Sequence, residues 1–117
     1  AKECGVHQNY KNKVLKANDI ATMSTGKRLG HPVRSIKNPY TKEYFKLEYS
    51  NISDEELEAY GRGALYRAAV EGDEKTGCFL AGQIAGMVNK EQTAKEIIEE
   101  IFTQAEDVLK GATKWVK

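Results

Sequence analysis

Apolar residues recur at helical spacing along most of this 117-residue chain, and the pattern predicts a mostly α-helical protein with one or two short strands. Val6, Tyr10, Val14 and Ala17 share one face, which predicts a first helix over 6–17 with Lys11, Lys13 and Lys16 toward water. Ile20 to Ser24 alternates weakly, as a short strand does. Ser24 to Gly30 has loop chemistry, with glycines at both Gly26 and Gly30. His31 to Ile36 reads as extended, with Pro32 near its start, where a missing amide proton does least harm.

Helix boundaries are written in capping residues. Asn38-Pro39 is a helix entry, because Asn caps and Pro at the first helical position gives up no hydrogen bond. Tyr40, Tyr44 and Leu47 then share a face. Ser53-Asp-Glu-Glu56 is a capping box flanked by an Ile52–Leu57 hydrophobic staple, and its helix is expected to stop at Gly61. A further helix is expected from Gly63 to Val70, with Leu65, Ala68 and Ala69 inward and Gly72 ending it. Thr93-Ala-Lys-Glu96 opens the last helix, 93–116. Its stripe includes Ile97, Ile98, Ile101, Phe102, Val108, Leu109 and Trp115, opposite Lys95, Glu99, Glu106 and Lys110. A stripe that long needs a large surface, part of which is expected to lie outside these residues.

Residues 77–88 carry the most unusual pattern. Ala81-Gly82 and Ala85-Gly86 repeat at a spacing of four, which predicts a helical turn with small residues along one edge, its N-terminus delivered by the loop Glu74 to Gly77. No side chain keeps a neighbour away from such an edge, so it suits either close helix packing or a flat ligand. Gln83 adds a neutral amide that donates and accepts.

Composition narrows the class. The chain is 40% hydrophobic and 30% charged, as in a soluble globular protein. No apolar run reaches the roughly 20 residues needed to cross a bilayer, no signal peptide is evident, and the start at Ala1 leads us to expect residues upstream. Cys4 and Cys78 make neither a C-x-x-C pattern nor a disulfide framework. They read as two free thiols in a reducing cytoplasm, and no metal site is expected. The net charge of +1 hides a split, +7 over residues 1–46 and −6 over 47–117. The basic half either steers an acidic partner or is a solvated face.

Candidate acid–base chemistry is sparse. His7 sits on an amphipathic helix and reads as surface. His31 lies in a Gly-rich loop three residues before Arg34, a pair suited to a phosphate or carboxylate or else to a structural role. The stretch from Gly26 to Gly30 has the wrong spacing for a phosphate-binding loop. No nucleophile–base set stands out, so no catalytic residue is assigned within this segment.

Four blocks occur in order: His7 to Lys13, Gly30-His-Pro-Val-Arg-Ser-Ile-Lys-Asn38, Gly63-Ala-Leu-Tyr-Arg-Ala-Ala-Val-Glu-Gly-Asp73, and Leu80-Ala-Gly-Gln-Ile-Ala-Gly-Met-Val88. Together they resemble the C-terminal third of the FMN-dependent enoyl-acyl-carrier-protein reductases, relatives of the nitronate monooxygenases. The last block is shared across both groups, and the second and third favour the reductase. The resemblance implies the lid subdomain and barrel-packing helices of a TIM-like α/β barrel enzyme. Residues 1–17 would follow the last barrel strand, 18–60 would form the lid, and 61–117 would return to the barrel. It implies FMN as cofactor, NADH or NADPH as reductant, and a cytoplasmic enzyme of fatty-acid biosynthesis.

By the same resemblance Leu80, Ala81, Gly82 and Gln83 would border the flavin and substrate cavity. Leu80 stands where some relatives carry Met. The family's flavin-phosphate loops and catalytic histidine would lie upstream, and neither His7 nor His31 matches that histidine. The implied partners are the N-terminal barrel portion and an enoyl substrate on acyl carrier protein. Lys11, Lys13, Arg28, Arg34 and His31 are candidate contacts for that acidic carrier or its cargo. No nucleic acid or membrane is implied, and a homodimer is compatible. Two rivals are a nitronate monooxygenase and a non-enzymatic module whose basic half binds nucleic acid; the acidic half opposes the latter.

Overall fold

A computed structural model describes residues 1–116. The chain forms two compact units, Val6–Lys90 and a second made of Ala1–Gly5 with the chain from Glu91 onward.

In the larger unit the helices begin where capping chemistry places them. Helix α1 (Gln8–Leu15) starts at His7, whose Nδ1 accepts from the Asn9 amide at 3.1 Å. Strands β1 (Thr22–Thr25) and β2 (Val33–Ile36) pair antiparallel, Thr22 opposite Ile36 and Thr25 opposite Val33. The turn between them needs Gly26. Its φ is 81°, and a Cβ there would sit 2.5 Å from the His31 carbonyl oxygen.

Helix α2 (Pro39–Glu48) is capped by Asn38, whose side chain accepts from the Thr41 amide at 2.9 Å while Thr41 Oγ1 accepts from the Asn38 amide at 2.9 Å. The same Asn38 donates through Nδ2 to the carbonyls of Gly77 (2.7 Å) and Glu74 (3.1 Å), so one buried side chain ties α2 to the loop from Glu74 to Gly77. Helix α3 (Asp54–Gly61) opens on the reciprocal Ser53–Glu56 box.

The segment expected as a helix from Gly63 to Val70 is shorter and wider. Helix α4 (Ala64–Tyr66) loosens into a π-helical turn over Arg67–Glu71, closed by Gly72 in the left-handed region at φ 63°. Ala64 and Ala68 face inward, whereas Leu65, expected inside, is exposed. The reason is tight packing: a Cβ on Gly77 would lie 2.8 Å from Ala68 Cα, so only the smallest side chains fit on that face. Lys13 also departs from its expected place in water. It is half-buried, pairs with Glu74 at 3.4 Å and lies 5.2 Å from the Phe79 ring centroid.

Two apolar clusters hold the larger unit together. Tyr40, Tyr44, Leu57, Ala64 and Cys78 form one, joined by Leu47 and Ile52, the staple residue. Ile36, Ala68 and Phe79 form the other, with Tyr10 and Val14 of α1 against them. Phe79 and Leu57 are 0% exposed, and each burial contributes about 1.5–3 kcal/mol as an upper bound.

In the second unit, helix α5 (Ala94–Ala112) begins at the Thr93–Glu96 capping box and passes into a 3-10 turn over Thr113–Trp115. The regular helix therefore stops at Ala112, short of the expected 116. The Lys2 amide donates to the Gln92 carbonyl at 2.8 Å, and the Ala94 amide to the Glu3 carboxylate at 2.9 Å. Backbone amides, its own first and then that of Ala94, hold the Glu3 carboxyl below its ordinary value. The apolar stripe is bare: Ile98, Ile101, Phe102, Val108, Leu109 and Trp115 are all exposed. No helix among the described residues is long and apolar enough to cross a membrane.

Candidate functional site

Residues 77–88 do not form the single helical edge that their repeat suggests. Gly77 to Ala81 is extended: the Ile36 amide donates to the Phe79 carbonyl (2.8 Å), and the Ala81 amide to the Arg34 carbonyl (3.2 Å), so this stretch adds a short third rung beside β2. Only Gln83–Met87 winds, as a 3-10 turn. The hydrogen bonds available along β2 outcompete a local helix that Gly82 and Gly86 would weaken. The helix start expected after the Glu74–Gly77 loop is thus displaced to Gln83. That loop instead folds around Asp73, whose carboxylate accepts from the Thr76 side chain and from the Lys75 and Thr76 amides, which lowers its pKa.

The two Ala-Gly pairs have separate uses. A Cβ on Gly86 would lie 2.6 Å from the Asn18 carbonyl carbon, so that glycine serves close backbone packing. A Cβ on Gly82 would meet nothing within 4 Å. In the strip Leu80, Ala81, Gly82 and Gln83 only Ala81 is half-buried, and the other three are exposed. The strip is anchored by the Tyr10 hydroxyl donating to the Leu80 carbonyl at 2.6 Å. Bare backbone at Gly82, flanked by an exposed apolar Leu80 and the Gln83 amide, fits the edge of a flat ring. It has no cationic side chain to hold a phosphate, so it fits as one border of a flavin site and not as a cradle.

Beside the strip lies a pocket of about 190 Å³, bordered by His31 and Val33 of the hairpin, Tyr40 and Tyr44 of α2, and Cys78 and Leu80. Burial raises the Cys78 thiol above its ordinary value. Burial, and next the neighbouring Cys78 and Tyr44, push Tyr40 well above the usual phenol range. Tyr44 is raised first by burial and then by the Glu48 carboxylate. All three groups are therefore neutral near neutral pH. Tyr40, Tyr44 and Cys78 were invisible as a site in the sequence, where the tyrosines read only as a helix face; their convergence with the hairpin is long-range.

The basic candidates are scattered. Arg28 bridges the α2–α3 junction, donating to the carbonyls of Ser50 (3.2 Å) and Ile52 (2.7 Å) and pairing with Asp54 at 2.8 Å. Its amide donates to buried Glu48 at 2.8 Å. Arg34 donates to Thr22 Oγ1 at 3.1 Å, so it is engaged along the sheet and does not join His31 at the pocket. Lys11 lies half-buried on α1, two residues before Lys13. His7 is occupied in capping α1.

A model of the nitronate monooxygenase family matches residues 1–104, and the chain belongs to that family. Its fold, mostly helical with a two-stranded sheet, is that of a segment of a TIM-barrel enzyme. It superposes on FabK from Thermotoga maritima with a TM-score of 0.89 and 34% identity, covering 95% of this chain and 35% of that one. A point mutant of the same protein matches with a TM-score of 0.78 and 31% identity, over 95% of this chain and 32% of the other. The chain thus spans about a third of the solved structures it matches. No curated protein matches it.

Proposed function

We propose that this chain is the lid and barrel-packing helical portion of a flavin-dependent oxidoreductase that reduces enoyl thioesters on acyl carrier protein, with NADH or NADPH as reductant. The observation that carries the reading is the FabK likeness, 34% identity at a TM-score of 0.89 across 95% of the chain. The bare stripe of α5 supports it, because a face of that composition is stable only against apolar surface. In this reading the stripe lies on the barrel, and residues 18–60 form the lid over its mouth.

FMN, when bound by the whole enzyme, supplies hydride transfer to the substrate. The chain's own residues border it. Leu80 and Ala81 exclude water with apolar surface, Gly82 leaves room for a ring edge, and the Gln83 amide offers a donor and an acceptor. Neither His7 nor His31 is assigned the proton-donating role. The basic half, including Lys11, Lys13 and Arg34, draws the acidic carrier by long-range attraction, while Arg28 chiefly holds the lid helices in register.

The full-length protein is expected to oxidise NADH or NADPH in the presence of a crotonyl thioester. Oxygen consumption with a nitronate and no thioester reduction would sink the reading in favour of a nitronate monooxygenase, the rival that the family match itself supports. A Michaelis constant for carrier-bound substrate that ignores ionic strength would remove the electrostatic part alone.

A further inference from the structure

We propose that the pocket between the hairpin, α2 and the Cys78 strand binds a short acyl group, with its carbonyl held by the Tyr40 and Tyr44 hydroxyls. The hydroxyl ends of both rings converge on Gly61, another lining residue. A Cβ on Gly61 would lie 3.5 Å from Tyr44 Cε2 and 3.7 Å from the Tyr40 hydroxyl oxygen. Because Gly61 has no side chain, that corner is open.

Neither phenol makes a hydrogen bond among the described residues, although Tyr40 is 7% and Tyr44 8% exposed. Each hydroxyl oxygen nevertheless keeps some access to solvent, and a ligand acceptor entering the pocket would replace the water that it meets there. The surroundings select the acceptor's charge. Glu48 and Glu58 bear on Tyr44, and Glu43 bears on Tyr60, whose ring stacks on Tyr40 at 5.4 Å. Arg67 acts the other way on Tyr40 and Tyr60, but its guanidinium is bonded to the Thr76 and Arg62 carbonyls. Carboxylates around neutral phenols oppose an anion and accept a neutral carbonyl.

Size points the same way. An apolar cavity of about 150 Å³ admits benzene, so this pocket of about 190 Å³ has room for a group of about four to six carbons. Val33, Leu80 and the tyrosine rings supply its apolar wall. The inference rests on the proposed reaction only in choosing a thioester as the acyl carrier.

The test is binding, read by calorimetry or ligand-observed NMR on the full-length protein without turnover. S-methyl thiobutyrate is compared with butyl methyl sulfide, which has the same chain and no carbonyl, and with butyrate. The thioester is expected to bind tightest, and Tyr40→Phe to weaken it about threefold to tenfold while leaving the sulfide unchanged. The unfolding midpoint of Tyr40→Phe is expected to hold or rise, since the lost hydroxyl had no protein partner. Gly61→Ala adds a methyl at ordinary contact distance and is expected to weaken both neutral probes with the fold intact. Equal binding of thioester and sulfide, preference for butyrate, or indifference to Tyr40→Phe would overturn the assignment. Enoyl reduction with unaltered thioester binding in Tyr40→Phe defeats this inference alone. Loss of the thioester preference in Tyr40→Phe, in a protein that reduces no enoyl thioester, upholds it without the proposed reaction.

Discussion

Phe79 and Phe102 are the same side chain in opposite circumstances. Phe79 is fully buried in the larger unit, with the Tyr10 ring 5.0 Å away and Lys13 over its face, whereas Phe102 on α5 is 68% exposed. Both belong to clear apolar patterns. The difference teaches that periodicity reports a face in need of a partner without saying where the partner lies. In the larger unit the partners are the unit's own helices and hairpin. On α5 the stripe has the composition of an interior and the exposure of a surface.

Substitution sharpens this contrast most. Phe79→Ala is expected to cost about 3–5 kcal/mol of unfolding free energy, read by urea denaturation, because it empties a closed core. Phe102→Ala in this chain is expected to change stability by less than about 0.5 kcal/mol, as exposed substitutions do. In the full-length protein the same change is expected to cost at least about 2 kcal/mol if the stripe is covered there. An equal, small effect in both would break the proposal that α5 packs on a barrel.

A smaller effect separates the two Ala-Gly pairs. Gly86→Ala is expected to destabilise by about 1–3 kcal/mol, because its methyl would press on the Asn18–Asp19 backbone, which has no flexible end to move. Gly82→Ala meets open space and is expected to be nearly neutral in thermal unfolding, while it narrows the strip proposed to border the flavin. Reversal of that order would mean that the second pair, not the first, is the open one.

The smallest effect is in pH. Tyr40, Tyr44, Tyr60 and Cys78 all hold their protons more tightly in the fold than their ordinary values of 10.0 and 9.0. The unfolded chain therefore releases protons first as pH rises, and unfolding becomes easier. The stability is fully present below those ordinary values and is lost above them, as pH climbs toward the folded values. The melting temperature is expected to fall from about pH 9 upward, and Tyr40→Phe to flatten that fall. A flat profile between about pH 9 and 11 would show that the pocket is wetter than its geometry implies.

The legible parts of the fold are those set by residues close in sequence. The caps at Asn38, Ser53 and Thr93 act over three residues, and all three stand where their chemistry places them. Gly72 closes its helix in the left-handed region, also a local matter, while α3 has Gly61 as its last residue and turns away at Arg62. Leu65 departs from the inward face that its spacing predicts, because a helical repeat fixes spacing but not rotation, and the contact between Ala68 and Gly77 turns α4 so that Leu65 faces out. The candidate strip at Leu80–Gln83 was legible as small and apolar, but not as extended, since its hydrogen bonds go to β2 more than forty residues away.

What the sequence determined by itself is therefore the set of helix starts and stops, the apolar faces and the family likeness, each carried by short-range chemistry or by blocks of residues in order. The tertiary structure decided the rest. It drew Cys78 to Leu80 out as a strand, assigned Gly86 to packing and left Gly82 open, occupied Arg28 and Arg34 inside the fold, and brought Tyr40, Tyr44 and Gly61 to one corner. Those outcomes depend on which distant backbone supplies a hydrogen bond and how closely two surfaces approach, quantities that no local window of residues contains.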